Sequence, residues 1–350
     1  MKNILITGAS GWLGINLINC FLKGIDIYPE THNLNQNISL NVFIPKSEHE
    51  KLLNLFGNKI NYYFGDIRSN EDCKNFVSNF DSGTIFHLVG LIHPNKISDL
   101  YEVNLEGTKN ICNNAINNNL DKIIVLSSNS PFGLNKDKHS PFDEKSSYNP
   151  YFNYGKSKML MEEYVKELQI KKKINTVLVR AMWFYGPYQP DRQNLFFQMI
   201  KNGKVPLVGN GENLRSMSNT ENLSYGLILA YLNDAAIGNS YWIADRRPYS
   251  QLEIIQTVRK VLLEEFNLRS IDKNIRLPAF FSDLAFMSDL ILQKIGLYNS
   301  KIHVLSELSK NIFCSIEKTE KDLGYNPKID LALGLKRNFA WMKSNNNLRF

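Results

Sequence analysis

The stretch "KNILITGASGWLGINL", residues 2–17, decides how the rest of the chain reads. An apolar, β-branched run from Lys2 to Thr7 gives way to Gly8, Gly11 and Gly14 at G-x-x-G-x-x-G spacing. Trp12 and Leu13 then open a segment of helical period that runs to about residue 23. A loop of this kind lets backbone amides at a helix N-terminus approach a pyrophosphate, where the helix dipole favours an anion. The triplet alone also suits a plain strand-to-helix turn. Its place after the chain's first strand points to dinucleotide binding.

Outward from that unit, short β-branched runs alternate with helical ones. The runs are "LNVFI" (40–44), "KINYYF" (59–64), "TIFHLV" (84–89), "KIIVLS" (122–127) and "NTVLVR" (175–180), with helices expected over 98–118 and from 151 onward. Such alternation specifies an α/β fold, a Rossmann-type doubly wound parallel sheet with helices on both faces. The expected dinucleotide-binding domain is 1–180, with return segments around 217–245 that include the strand-like "NSYWIAD" (239–245). Residues 181–216 and 246–345 form a smaller, mostly helical substrate lobe over the sheet's carboxyl edge. The turn-rich "IDIYPETHNLNQNIS" (25–39) reads as a surface insertion.

Composition excludes several classes. With 350 residues, 43% hydrophobic and 21% charged, the chain is an ordinary globular sequence. Its longest apolar stretches, such as "PAFFSDLAFM" (278–287), are broken by Asp283 and fall short of the roughly 18 residues of a membrane span. The N-terminus lacks a signal h-region, so the expected location is cytoplasmic. Cys20, Cys73, Cys112 and Cys314 show no pairing, and the histidines, His87 and His93 among them, show no ligand spacing, so no metal is expected. The net charge of +7 is scattered, without the basic, aromatic-interleaved stripe of a nucleic-acid binder.

Two further places carry chemistry. In "YFNYGKSKML" (151–160), Tyr154 and Lys158 are four apart and share one helix face. At the end of the second strand, "VFIPKSEH" (42–49) offers Lys46 and no acid; a carboxylate there would take the ribose 2'-hydroxyl of NAD, and a lysine suits a 2'-phosphate. The cofactor is therefore NAD or NADP, leaning to NADP.

These segments, in this order, resemble the extended short-chain dehydrogenase/reductase family, also described as NAD-dependent epimerase/dehydratase or 3β-hydroxysteroid dehydrogenase-like proteins, over nearly the whole chain. "TGASGWLG" is similar to the cofactor loop (Gly8, Gly11, Trp12, Leu13, Gly14). "GDIRS" (65–69) resembles the adenine-contacting segment, here Asp66 and Ile67. "HLVG" resembles the strand end along the cofactor (Leu88, Val89, Gly90), and "VNLEGT" (103–108) places Asn104. "LSSNSPFG" (126–133) is similar to the catalytic serine loop, with Ser128, and "YGKSK" to the Y-x-x-x-K of the family. "YGPYQP" (185–190), "GNGENLRS" (209–216) and "KDLGYNPK" (321–328) follow as late motifs.

The resemblance implies that Tyr154 exchanges the substrate hydroxyl proton while Ser128 positions that oxygen. A tyrosine of pKa about 10 is a poor base; the expectation is that Lys158 and the cofactor lower it. Dehydrating members carry an Asp-Glu pair after the catalytic hydroxyl; Asn129 and Ser130 stand here, which argues against 4,6-dehydration. Arg215 lies where the family places an arginine on the diphosphate of a nucleotide sugar, the leading substrate class. Trp183 departs from the sugar-nucleotide pattern, replacing an Asn in "RAMWFYGP" (180–187). The apolar stretch 277–298 suits a lipid-like pocket, as in oxidation of a sterol-like alcohol, or a helix buried in the smaller lobe. A non-catalytic dinucleotide-binding regulator is the alternative of another class. The family often dimerises through the Tyr–Lys helix and the helix before it, so a homodimer is expected.

Overall fold

The computed structural model describes residues 2–278 and 280–345; Ala279, within the stretch 277–298, lies outside them. Six strands, β1 (Lys2–Thr7), β2 (Ile38–Ile44), β3 (Asn61–Phe64), β4 (Thr84–His87), β5 (Lys122–Ser128) and β6 (Asn175–Ala181), join Ser240–Ile243 in one seven-stranded sheet. Its order is Ser240–Ile243, β6, β5, β4, β1, β2, β3, with every pairing parallel. Strand order reverses between β1 and β4, so the crevice at the carboxyl ends of those strands is where a Rossmann-like sheet binds its ligand.

The side-chain period of two explains the layers. On β1, Ile4 and Ile6 enter one core with the helices Trp12–Lys23 and Thr220–Leu232, while Leu5 enters a second core with Asn70–Val77, Gly107–Asn117 and Phe152–Ile170. A third core lies in the later part of the chain, where Phe197, Leu207, Ile254, Leu335 and Phe339 gather.

Two elements differ from the sequence-based expectation. The helix expected over 98–118 is interrupted: Ile97–Tyr101 passes through a π-helical segment, Glu102–Glu106, into Gly107–Asn117. The π segment carries buried Asn104. Residues 25–39 are more than a surface insertion, because Tyr28 is fully buried. Its ring stacks on Tyr225 with centroids 4.0 Å apart, its hydroxyl donates to Asn222 Oδ1 at 2.5 Å, and the same oxygen accepts from Lys328 N at 2.7 Å. An aromatic ring with a polar tip supplies both packing and an anchor, which turn-forming neighbours conceal in the sequence.

Candidate active site

The glycine loop ends β1 at the switch point. Gly8 has φ +74°, and a Cβ on it would lie 2.8 Å from Leu88 C and Val89 N; one on Gly14 would meet Gly8 O at 2.3 Å. Gly11 caps helix Trp12–Lys23 without a side-chain hydrogen bond, and the first turn holds no acid. The helix amides are therefore left to an external anion, and the residues fit a dinucleotide pyrophosphate. Trp12 turns its indole away, donating to Pro187 O at 2.8 Å, and Leu13 is core. Lys51, which the sequence reading missed, donates to Ser10 O at 2.7 Å and sets a cation over the loop.

The other cofactor candidates line the same edge in different ways. Leu88 and Val89 continue β4 against Gly8, and a Cβ on Gly90 would find only Asn104 Oδ1, at 3.9 Å. Asn104 is buried: Leu91 N donates to its Oδ1 at 2.8 Å, and its amide donates to Leu91 O and Ser157 Oγ, each at 3.0 Å. It clamps the post-β4 loop to the Tyr–Lys helix. Asp66 accepts from Arg68 Nε at 2.9 Å, which holds its carboxyl below the ordinary range, and Ile67 packs beneath Gly107. Lys46 is exposed just beyond β2.

Ser128 ends β5, and Tyr154 and Lys158 occupy the first two turns of Phe152–Ile170. A Cβ on Gly155 would sit 2.4 Å from Ser130 O, so only glycine lets the helix come this close to the serine loop. There Ser128 Oγ accepts from Ser130 N at 3.2 Å, and its hydroxyl lies near enough to the Tyr154 phenol to favour the phenolate. Lys158 Nζ donates to Leu126 O at 2.7 Å. Burial pushes Tyr154 up to about 12, the Ser128 hydrogen bond opposes this, and the Glu307 charge adds to it. Lys158 directs its ammonium at the β5 carbonyl, and among the chain's own groups burial outweighs the contributions that lower the phenol. Burial also lowers Lys158 to about 8, against the raising effect of Glu162.

Behind the lysine stands a group that the sequence reading passed over. Glu162 is fully buried and accepts from Arg180 Nη2 at 2.7 Å and Tyr148 Oη at 2.7 Å. Tyr154, Lys158 and Glu162 repeat at four-residue spacing, a signal available in the sequence. His87 bridges Thr7 and Thr108 at 2.7 and 2.9 Å, and burial holds it neutral, near 3.

The facing wall comes from the later part of the chain. Arg215 is 3% exposed, lies 4.8 Å over the Trp183 ring, and donates from Nη2 to Glu307 O at 2.5 Å. Among the described residues no carboxylate forms a salt bridge with it. Burial lowers its pKa while Glu307 raises it. Tyr151, which precedes the Tyr–Lys helix, has its hydroxyl 2.5 Å from Ser306 Oγ. His303 Nδ1 meets Asp289 Oδ2 at 2.7 Å, and Gln293 Oε1 accepts from Asn153 N at 3.2 Å. Asp289/Gln293 and His303/Glu307 are again four apart, polar pairs in an otherwise apolar stretch.

A seven-stranded parallel sheet with a glycine loop at its switch point and a Ser–Tyr–Lys cluster beside it defines a nucleotide-cofactor enzyme fold. A model of the NAD dependent epimerase/dehydratase family matches residues 4–244, and the chain belongs to that family. The uncharacterized protein y4nL of Sinorhizobium fredii is 40% identical over 344 residues, 98% of this chain and 95% of that protein. The sterol-4-alpha-carboxylate 3-dehydrogenase, decarboxylating, of Candida albicans is 26% identical, over 98% of each chain. Among solved structures, UDP-glucose 4-epimerase of Thermotoga maritima with UDP-glucose shares the fold with a TM-score of 0.75 at 16% identity, covering 99% of this chain and 100% of that one.

Proposed function

We propose that the chain catalyses reversible hydride transfer at a secondary alcohol or ketone carbon of a nucleotide sugar, as an epimerase or dehydrogenase. The observation that carries the substrate class is Arg215, a guanidinium buried in the site wall with no carboxylate salt bridge among the described residues. A buried charge of this kind is costly until an anion meets it, and a fixed fork suits a diphosphate. When bound, the nicotinamide supplies or accepts the hydride. Gly8, Gly11 and Gly14 admit the pyrophosphate; Leu88, Val89 and Gly90 flank it. Ser128 holds the reacting oxygen, and Tyr154, protonated at neutral pH, exchanges a proton with it. Lys158 orders the β5 edge through Leu126 and supplies positive charge near the phenol. Asn129 and Ser130 offer no acid–base pair for 4,6-dehydration. Residues 1–180 with 217–245 hold the cofactor in this reading, and 181–216 with 246–345 the substrate.

Calorimetry with UDP on the cofactor-loaded protein tests the substrate class. Arg215→Met is expected to weaken UDP by about 1.5–3 kcal/mol, the range for a charge-assisted hydrogen bond, without moving cofactor affinity. If UDP does not bind and an apolar secondary alcohol is turned over, the sugar reading is wrong. That second reading draws on the sterol dehydrogenase, similar over nearly its whole length, and would use Trp183 as an apolar wall. Binding of cofactor without turnover of either class would leave a regulatory protein.

The cofactor preference rests on Lys46 and Lys51 near the end of β2 and the glycine loop. NADP is expected to bind more tightly than NAD in a fluorescence titration, and the reverse order rejects the preference. A homodimer through Gly107–Asn117 and Phe152–Ile170 completes the proposal; a sedimentation mass of one chain would remove it.

A further inference from the structure

Helix Phe280–Lys294 is built inside out. Its buried positions are Ser282, Ala285, Asp289 and Gln293, whereas Phe280, Leu284, Met287, Ile291 and Ile295 are 58, 58, 52, 57 and 66% exposed. The stretch 277–298 thus neither hides its large side chains in the lobe nor turns them all into the site. Its orientation is fixed by the inward face: Ser282 donates to Ser306 O at 2.9 Å, Asp289 meets His303, and Gln293 meets Asn153. Rotating the helix to bury its apolar stripe would strip those polar groups of partners. The stripe continues into Leu297, 55% exposed. A contiguous apolar patch of this kind marks a surface that something else covers.

We infer that this face docks on an anionic lipid bilayer, lying in its interface. Charge selects that occupant. Lys294, at the end of the helix, and Lys301 and Arg276, near it in sequence, are exposed and form no salt bridge among the described residues, whereas the exposed acid within the helix, Asp283, is taken by Lys310 at 2.6 Å. The charge left over around the stripe is positive, and the whole chain carries +7. An apolar face bordered by lysine and arginine is the pattern of an interfacial helix. A two-fold contact between copies would instead bring these cations near their own counterparts. Among the described residues no helix is long and apolar enough to cross a membrane, so the contact is peripheral.

The test is co-sedimentation of the full chain with vesicles of phosphatidylglycerol and phosphatidylcholine, and with phosphatidylcholine alone. Binding is expected on the anionic vesicles and is weakened by salt. Leu284→Glu with Ile291→Glu should reduce the bound fraction by about tenfold, as loss of the inserted apolar face requires. Lys294→Glu with Lys301→Glu should reduce it on anionic vesicles. Circular dichroism checks that each variant is folded. Absence of binding to anionic vesicles, or binding that the folded Glu variants leave unchanged, overturns the inference. So does a dimer in ultracentrifugation that Leu284→Glu dissolves in a protein that ignores vesicles, which would make a second copy the cover.

Discussion

Helices Phe152–Ile170 and Phe280–Lys294 both reach the site, and both turn polar residues inward. The first buries Ser157, Lys158 and Glu162, satisfied by Asn104, Leu126 O and Arg180 with Tyr148. The second buries Ser282, Asp289 and Gln293, satisfied by Ser306 O, His303 and Asn153. Their outward faces differ: exposed Lys156, Glu163 and Glu167 on one, and Phe280, Leu284 and Ile291 on the other. Buried polar groups report the demands of the site, which the two helices share. The outward faces make opposite demands: the first presents charged side chains, the second an exposed apolar stripe.

The largest expected effect lies on the first helix. Tyr154→Phe removes the exchangeable proton and keeps the ring, so kcat should fall by about 10²–10⁴-fold while cofactor affinity in a fluorescence titration changes little. Turnover near that of the unmodified protein would take the proton-transfer role away from this helix. Next comes Arg180→Met, which leaves the buried Glu162 carboxylate with only the half-exposed Lys166 ammonium, 3.8 Å away, for a cation. A loss of about 3–5 kcal/mol is expected in urea denaturation, the cost of an uncompensated buried charge. A loss below about 1 kcal/mol would mean that Tyr148 and Lys166 suffice for Glu162, and that the inward face of the first helix depends less on Arg180 than its geometry implies.

The sequence carried the sheet well, because each strand is a short β-branched run with a period set by the backbone. The glycine loop and the Tyr–Lys pair were legible for a similar reason, since both are local and their spacing is the geometry. Arg215 was placed by motif, but its stacking on Trp183 was not. Tyr28 and Glu307 depend on chain separated by many residues, which no local pattern reports. The stretch 277–298 was misjudged because apolar content measures how much surface a helix would hide without saying which side is hidden. Asp283, Asp289 and Gln293 were the signal: two of the three face inward, and the apolar stripe must then face out.

The smallest effect separates the two inward faces by pH. Burial lowers Lys158 from its ordinary 10.5 to about 8, so the unfolded chain binds this proton more tightly than the fold does. Between about pH 8 and 10.5 the unfolded state holds more protons at this site, and stability from this group rises with pH. His303 has the opposite sign. Burial pushes it down, but the hydrogen bond and charge of Asp289 and the charge of Glu307 outweigh that and raise it above 6.5. Its contribution is complete below pH 6.5 and fades as pH rises through the folded value. Chemical denaturation of Lys158→Met and His303→Gln beside the parent chain, from pH 6 to 10, isolates each slope as a difference. The parent should gain on Lys158→Met as pH rises above 8, and lose against His303→Gln as pH rises above 6.5. A tenfold difference in proton affinity between the folded and unfolded chain is worth about 1.4 kcal/mol at most, less wherever the fold relaxes around the charge. Parallel curves for Lys158→Met and the parent would mean that water reaches this ammonium, and the dry first helix would then resemble the second more closely than its burial implies.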